Sequence, residues 1–216
     1  MKNTKAIIFD MDGVLIDSEP FWGQASMEVM QRVGIPYTRD DVMRYQGVRI
    51  GDIVSRVWDE NPVSFSKQEI EKMVCDRVSE LVLESGRVLP GIDNVLKRAE
   101  KWGLKIGLAT STPRSVAVNF IKRVGIGDSI EVMCTGEVVV YGNPHAEIYI
   151  LCASRLGVEP WECIVFEDSV NGVVAAKAAR MHTIAVPAPI SYEDKRYGIA
   201  DVKLHSLTDF IDDMIP

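Results

Sequence analysis

Five short apolar segments that alternate with helical patterns constrain the fold of this chain more than any other feature. The apolar segments are residues 6–10, 105–110, 130–134, 163–167 and 183–186. Near-continuous apolar strands are typical of a parallel sheet that is covered by helices on both faces. Helical patterns lie between them, at about residues 90–102, 113–124, 147–156 and 169–179. The alternation predicts an α/β fold, a doubly wound parallel sheet.

The stretch from about residue 18 to residue 84 breaks this alternation. It shows no convincing strand, and its apolar residues recur with helical spacing, as at Ile70, Val74, Val78 and Leu81. We therefore expect an all-helical cap inserted into an α/β core. The cap would be residues 17–87, and the core would be residues 1–16 and 88–216. Residues 15–17 and 87–90 would form the two hinges.

Chain length and composition exclude several classes of protein. The 216 residues, 47% of them apolar and 25% charged, suit one soluble domain with an insertion rather than a disordered chain or a disulfide scaffold. The net charge of −7 argues against nucleic acid as the main partner. It does not exclude an anionic substrate, because a bound metal ion can reverse the local field.

The sequence also bears on location. The four cysteines are far apart and form no CxxC motif, so we read them as buried thiols in a reducing compartment. No apolar run reaches about 18 residues, and the first residues are too polar for a signal peptide. We expect a cytoplasmic, monomeric protein without a membrane partner.

Two carboxylates follow the first apolar segment. Asp10 and Asp12 are two residues apart in an extended chain, so both point the same way from the end of the strand, and Gly13 then lets the chain turn. Adjacent carboxylates repel unless a cation or a shared proton lies between them, and Mg²⁺ is the natural cation here. One carboxylate could attack phosphorus while the other serves as general acid and base. The alternative is a capped turn with two solvated acids.

Two further strand ends carry polar residues. Thr110 ends one apolar strand, and Thr112 and Pro113 suit the N-cap and first position of a helix, where backbone N–H groups can bind an anion. Glu167 and Asp168 end another strand, where adjacent acids are awkward unless they serve a metal. Together, the three strand ends supply the parts for phosphoryl transfer through an aspartyl-phosphate.

At these residues the sequence resembles the haloacid dehalogenase superfamily of phosphohydrolases, in the branch with a helical cap after the first strand of a Rossmann-like core. Residues 8–20 and 166–172 are highly specific for that branch. Residues 178–181 and 186–189 are similar to the bacterial hexitol phosphatase and 2-deoxyglucose-6-phosphate phosphatase group. The resemblance implies a Mg²⁺-dependent phosphatase acting on a small phosphorylated sugar or polyol.

The resemblance also implies roles for individual residues. Asp10 would be the nucleophile, and Asp12 would protonate the leaving alcohol and then activate water. Thr110 and the Ser111 amide would hold the phosphoryl oxygens. Mg²⁺ would be bound by the Asp10 carboxylate, the Asp12 backbone carbonyl and Asp168, with support from Glu167. The acid at position 12 favours phosphate chemistry over carbon–halogen chemistry, because the dehalogenases of the family do not use it.

One position departs from the family pattern. The family places a lysine in a Gly-Lys-Pro-type motif, and here the corresponding residue in the phosphate site is Asn143, which brings no charge. Either a basic residue such as His145 replaces the lysine, or the protein is impaired, or the asparagine was introduced deliberately. An impaired protein would be a non-catalytic binder of phosphorylated ligands.

Substrate choice is expected to lie with the cap. Glu19 and Trp22 follow the first hinge on one helix face, and Arg49 lies in a loop where the family tends to place substrate contacts. Asn171, just after Asp168, would touch substrate or cap its helix. The related beta-phosphoglucomutases carry a histidine at the position of Trp22, so the tryptophan favours hydrolysis over the alternative, a phosphosugar mutase.

Overall fold

A six-stranded parallel sheet forms the centre of the protein in a computed structural model, which describes residues 3–45 and 48–216. The strands of the described chain are β1 (Ala6–Phe9), β2 (Ile16–Asp17), β3 (Arg87–Val88), β4 (Lys105–Ala109), β5 (Val132–Cys134), β6 (Cys163–Glu167), β7 (His182–Ala185) and β8 (Val202–Lys203). The order in the large sheet is β5-β4-β1-β6-β7-β8. The predicted doubly wound α/β fold is confirmed.

In the part of the chain that the structure describes, eight α-helices pack around the sheet or form the insertion. They are α1 (Glu19–Val33), α2 (Arg39–Arg44), α3 (Ile50–Glu60), α4 (Lys67–Ser85), α5 (Ile92–Trp102), α6 (Arg114–Val124), α7 (Glu147–Leu156) and α8 (Val170–Ala178). The helical patterns expected in the core match α5 to α8 within about two residues. Strand β8 was not predicted, because an edge strand of two residues is too short to show an apolar run.

Strand β1 lies at the middle of the sheet, which explains its unbroken apolar sequence. All four of its residues are buried, and Ile8 lies between Gly107 of β4 and Val165 of β6. A Cβ on Gly107 would come within 2.7 Å of the Cys152 thiol on α7. The glycine therefore lets α7 pack closely against the sheet.

The two expected hinge segments pair with each other. Ile16 pairs with Val88 and Asp17 with Arg87, so β2 and β3 form a short antiparallel ribbon. A surface ion pair of 2.7 Å between Arg87 and Asp17 accompanies the pairing. The chain thus leaves the core and returns to it side by side, and the intervening residues hold α1 to α4.

Helices α1 to α4 bury apolar residues that continue the apolar interior of the core. Met30, Val54, Val74 and Val78 are completely buried within it. Helix α4 begins with a capping box in which Ser66 and Glu69 exchange hydrogen bonds. It also packs against α6 of the core, and the Arg123 guanidinium donates to the carbonyl of Gly86 at 3.2 Å. The exact division at residues 17 and 87 stays a prediction.

No helix in the described ranges combines the length and the apolar character that a membrane crossing requires.

Candidate active site

The functional residues expected from the sequence converge at the carboxyl ends of three neighbouring strands. Strand β1 lies between β4 and β6, so Asp10, Thr110 and Asp168 follow adjacent strands at one edge of the sheet. The backbone N–H of Asp10 donates to the carbonyl of Phe166 at 3.0 Å, which extends the pairing of β1 with β6 past the last strand residue. Parallel strands bind ligands at this edge.

Asp10, Glu167 and Asp168 form an acid cluster in which one carboxylate oxygen of each lies within 4.8 Å of the others. All three residues are buried. Burial, followed by the charges of Glu167, Asp168 and Asp12, raises the pKa of Asp10 well above its usual range. Burial also raises the pKa of Glu167. Burial, followed by the charge of Glu19, raises the pKa of Asp168 well above its usual range.

This acid cluster fits a divalent cation. Buried carboxylates that repel one another are costly unless a cation compensates them, and oxygen ligands are those that Mg²⁺ prefers. Gly13 supports the fit, because its φ is +76° and a Cβ there would lie 2.1 Å from Oδ2 of Asp168. The turn after β1 therefore leaves space for the Asp168 carboxylate that any other residue would fill.

Neighbouring side chains orient two members of the acid cluster. The Tyr149 hydroxyl donates to Oε1 of Glu167 at 2.7 Å, and the backbone N–H of Ser169 donates to Oε2 at 2.9 Å. The Tyr197 hydroxyl donates to the backbone carbonyl of Asp168 at 2.6 Å. Ser169 also caps α8 as expected, since its hydroxyl accepts from Gly172 N–H at 3.0 Å.

The Asp12 carboxylate is not a member of the acid cluster and accepts three short hydrogen bonds. The Ser18 hydroxyl donates to Oδ1 at 2.5 Å and the Trp22 indole N–H donates to the same oxygen at 2.8 Å. The Thr112 hydroxyl donates to Oδ2 at 2.6 Å. Asp12 is therefore fixed from both sides, by residues of the insertion and by the turn after β4. With the carboxylate engaged in this way, the Asp12 backbone carbonyl is the group that could bind Mg²⁺, as the resemblance implies.

The turn after β4 differs from the expected helix start. Thr112 was expected to be the N-cap of α6, but the helix begins at Arg114 and Pro113 occupies the cap position. The reason is that the Thr112 hydroxyl is engaged by Asp12, while a carboxylate from another loop, that of Glu137, accepts the Arg114 N–H at 2.9 Å.

Thr110 and Ser111 lie in the same turn. The Thr110 hydroxyl accepts from Thr112 N–H at 3.1 Å and lies 3.5 Å from Oδ2 of Asp12. Within the described chain, the Ser111 amide N–H has no hydrogen-bond acceptor. Both residues line the cavity described next.

A cavity lies between the strand ends and the insertion, with about 730 Å³ of empty space, its open mouth included. The wall on the insertion side is largely aromatic and aliphatic: Trp22, Tyr37, Val42, Tyr45, Val48, Ile50 and Ile53. Tyr37 and Tyr45 stack at 6.5 Å between ring centroids. The core side contributes Asp10, Asp12, Thr110, Ser111, Asn143 and Glu167.

The described lining of this cavity contains four carboxylates and no lysine, arginine or histidine. Glu19 is the acid on the insertion side. Burial, followed by the charges of Asp12 and Glu167, raises its pKa to about 7. Asn143 lies on the wall, and its Oδ1 is buried without a hydrogen-bond partner among the described residues.

Four sequence-predicted residues do not line the cavity. One is Asp168, which belongs to the acid cluster. His145, suggested as a replacement cation, has a mostly exposed side chain, and its Nδ1 accepts from the backbone N–H of Glu147 at 3.3 Å. Asn171 lies in the first turn of α8, outside the lining. The Arg49 guanidinium is bound to Asp52 and to backbone carbonyls of the core, so in this arrangement it is not available to a ligand.

The sequence reasoning missed Ser18, Thr112, Tyr149 and Tyr197 as site residues. Thr112 and Ser18 each lie beside a residue that was identified, but nothing local marks their hydroxyls as partners of Asp12. Tyr149 and Tyr197 come from α7 and from a later loop. Only the packing of these elements shows that they reach Glu167 and Asp168.

The α/β core thus brings an acid cluster, a second acid two residues after Asp10 and a hydroxyl-bearing turn to one edge of its sheet. The chain belongs to the haloacid dehalogenase-like hydrolase family, whose model matches residues 4–180.

Individual relatives are similar over almost the whole chain. Hexitol phosphatase B of Escherichia coli (strain K12) is 40% identical over 206 residues, which are 94% of this chain and 93% of that protein. A phosphorylated carbohydrates phosphatase of Thermotoga maritima is 34% identical over 95% of this chain and 88% of its own length. The crystal structure of CbbY from Rhodobacter sphaeroides in complex with phosphate shares the fold, with a TM-score of 0.86, 24% identity, and coverage of 95% and 96% of the two chains.

Proposed function

We propose that this protein is a Mg²⁺-dependent phosphatase that hydrolyses small sugar or sugar-alcohol monophosphates through an aspartyl-phosphate. The observation that carries the proposal is the pairing of two differently placed carboxylates. Asp10 belongs to the buried acid cluster, whereas Asp12 is not a member of it and is held by Ser18, Trp22 and Thr112. Two acids with different surroundings can perform different roles.

In the first step, a carboxylate oxygen of Asp10 attacks phosphorus and the bond from phosphorus to the sugar oxygen breaks. Asp12 donates its proton to that oxygen, and the free sugar or polyol leaves. Thr110 and the Ser111 amide would hold phosphoryl oxygens, as the donors of an oxyanion site do. Bound Mg²⁺, held by Asp10, Asp168 and Glu167, would neutralise the acid cluster and draw charge from the phosphoryl group.

In the second step, Asp12 takes a proton from water as the water oxygen attacks phosphorus. The bond between Asp10 and phosphorus breaks, inorganic phosphate is released, and both aspartates return to their starting states. The hydrogen bonds to Asp12 leave its carboxylate in one orientation for both proton transfers, which reduces the reorganisation that each transfer requires.

The charges of the cavity favour monophosphates. Moving a phosphoryl group between two positions of one sugar passes through a bisphosphate, whose second phosphate would need a cation at the insertion side of the cavity. The described lining there offers the Glu19 carboxylate, Ser26 and apolar or aromatic groups, and no cation. This supports hydrolysis over the mutase alternative, as does the direct contact of Trp22 with Asp12.

A phosphate-release assay tests the proposal. Purified protein is assayed with and without Mg²⁺ on hexitol phosphates, 2-deoxyglucose-6-phosphate and beta-glucose-1-phosphate, with Asp10→Asn as the inactive control. We expect Mg²⁺-dependent release of phosphate from at least one monophosphate, and none from Asp10→Asn. Conversion of beta-glucose-1-phosphate to its isomer would support the mutase alternative. No turnover on the whole panel would support a non-catalytic binder, the alternative that Asn143 favours.

A further inference from the structure

The Arg49 guanidinium joins the insertion to the core through a fork of hydrogen bonds. Its Nη1 donates to the carbonyls of Gly136 and Val139 at 3.1 and 3.2 Å, and Nη2 donates to the carbonyl of Val140 at 3.2 Å. Nε and Nη2 also bind the two carboxylate oxygens of Asp52 at 2.8 and 3.0 Å. Asp52 lies three residues after Arg49, in the first turn of α3. This ion pair therefore stays within the insertion.

The core loop, residues 136–143, is shaped to receive this guanidinium. A Cβ on Gly142 would lie 2.9 Å from Nε of Arg49, and one on Gly136 would lie 3.2 Å from its Cδ. Within the described residues, no other group donates to the three carbonyls that Arg49 binds. The loop is also fastened from the core side, because Glu147 accepts the N–H groups of Val140 and Tyr141 at 3.2 and 3.1 Å.

The same loop leads into the site. It ends at Asn143 on the cavity wall, and at its start a Cβ on Gly136 would come within 2.5 Å of the Ser111 carbonyl. The segment that Arg49 binds therefore lies between the turn expected to bind phosphate and the residue at the lysine position. Any movement of the insertion away from the core exchanges three hydrogen bonds from a charged donor for hydrogen bonds to water, and each such bond contributes net stability to the closed arrangement.

We propose that Arg49 is a positioning residue, a latch that holds the insertion closed over the cavity and orders the 136–143 loop so that Asn143 faces the site. The closing of the insertion by Arg49 does not depend on the proposed phosphatase function, whereas an effect of Arg49 on turnover does. An arginine suits this role because its planar fork reaches several acceptors in fixed directions, which a lysine cannot do. Asp52 keeps the fork oriented when the insertion opens, so that the latch can close again.

Exchange of the Trp22 indole N–H with solvent measures the latch without substrate or metal. That hydrogen bond to Asp12 spans the insertion and the core, so it breaks when the insertion opens. Four indole signals are expected in a ¹H–¹⁵N spectrum, and Trp22→Phe assigns the relevant one. In Arg49→Met we expect the Trp22 N–H to exchange about tenfold faster or more, since several hydrogen bonds to a charged group are lost. In Arg49→Lys, the Trp22 N–H should exchange nearly as fast as in Arg49→Met.

A second variant breaks the latch from the core side. Gly142→Ala places a methyl group against the Arg49 side chain and should accelerate the exchange in the same way. Matched controls are Arg44→Met, an exposed arginine whose ion pair with Asp41 stays within the insertion, and Gly198→Ala, where nothing lies within 4 Å of the added Cβ. The indoles of Trp58, Trp102 and Trp161 report whether each variant is folded.

The outcomes separate the latch from other roles. Fast exchange in Arg49→Met and Gly142→Ala, with both controls at the wild-type rate, supports the latch, whether or not phosphatase activity has been found. Wild-type exchange in both variants overturns it. Exchange at the wild-type rate combined with a raised KM in Arg49→Met would instead assign Arg49 to substrate contact, which also overturns the latch.

Discussion

The indole N–H of Trp22 donates to Oδ1 of Asp12 at 2.8 Å, so a residue of the insertion directly holds the proposed general acid and base. Trp22 also lines the cavity. The contact means that the position of the insertion and the orientation of the Asp12 carboxylate are not independent.

Replacing Trp22 by Phe tests this relationship. The variant keeps an aromatic side chain in the wall but removes one donor from Asp12, so we expect kcat to fall about tenfold with a smaller change in KM. Steady-state kinetics measure it, with Trp161→Phe at the exposed core surface as the control. A raised KM with unchanged kcat would show that Trp22 contacts substrate instead.

Replacing Asn143 by Lys tests the missing positive charge. The lysine would bring a cation to a wall that faces Asp10, Asp12, Glu19 and Glu167, and we expect phosphatase turnover to rise at least about tenfold. Asn143→Met, which has a comparable apolar stem and no charge, should not raise it. Unchanged turnover in Asn143→Lys would mean that another cation already fills the role.

Replacing Gly13 by Ala tests the space that the acid cluster needs. The new Cβ would collide with the Asp168 carboxylate, so stabilisation of the protein by Mg²⁺, measured by thermal unfolding, should be lost. Gly34→Ala is the matched control, because its φ is +86° and nothing lies within 4 Å of the added Cβ. Gly34→Ala should lower the free energy of unfolding only by the backbone strain, about 1–2 kcal/mol. The protein should still be stabilised by Mg²⁺. Equal behaviour of the two variants would contradict the assigned metal site.

Replacing Glu19 by Gln tests the acid of the insertion through pH. A carboxyl whose pKa is raised to about 7 on folding adds stability below its unfolded pKa and loses it as the pH rises through about 7. In the absence of metal, Glu19→Gln should therefore raise the free energy of unfolding more at pH 8 than at pH 5. The difference should be on the order of 1–2 kcal/mol.

Urea unfolding at both pH values measures this change. Glu28→Gln serves as the control, because the hydrogen bond from Arg77 lowers the pKa of that exposed carboxyl. Glu28 is then largely ionised in both the folded and the unfolded protein from pH 5 to pH 8, so the effect of its substitution should stay nearly constant. If Glu19→Gln changes the free energy of unfolding by the same amount at pH 5 and pH 8, the surroundings of Glu19 do not raise its pKa.

Much of this protein was predictable from local pattern. The buried strands read as apolar runs, and Asp10, Thr110 and Asp168 followed them at predictable ends, because parallel strands present their carboxyl ends at one edge. Strand β8 and the β2–β3 ribbon were not predictable, since two-residue strands carry no periodicity. Thr112 was misassigned as a helix cap because a hydroxyl that suits a cap suits a carboxylate equally well.

The sequence by itself determined the fold class, the inserted helices and the acids at the strand ends, because these depend on short-range pattern and on strand direction. The tertiary structure alone decided how those acids are used. It separates Asp12 from the acid cluster, brings Tyr149 and Tyr197 to that cluster from distant segments, and directs Arg49 to the 136–143 loop instead of the cavity. The physical reason is that a side chain's partners depend on which elements pack beside it, and spacing along the chain does not encode that.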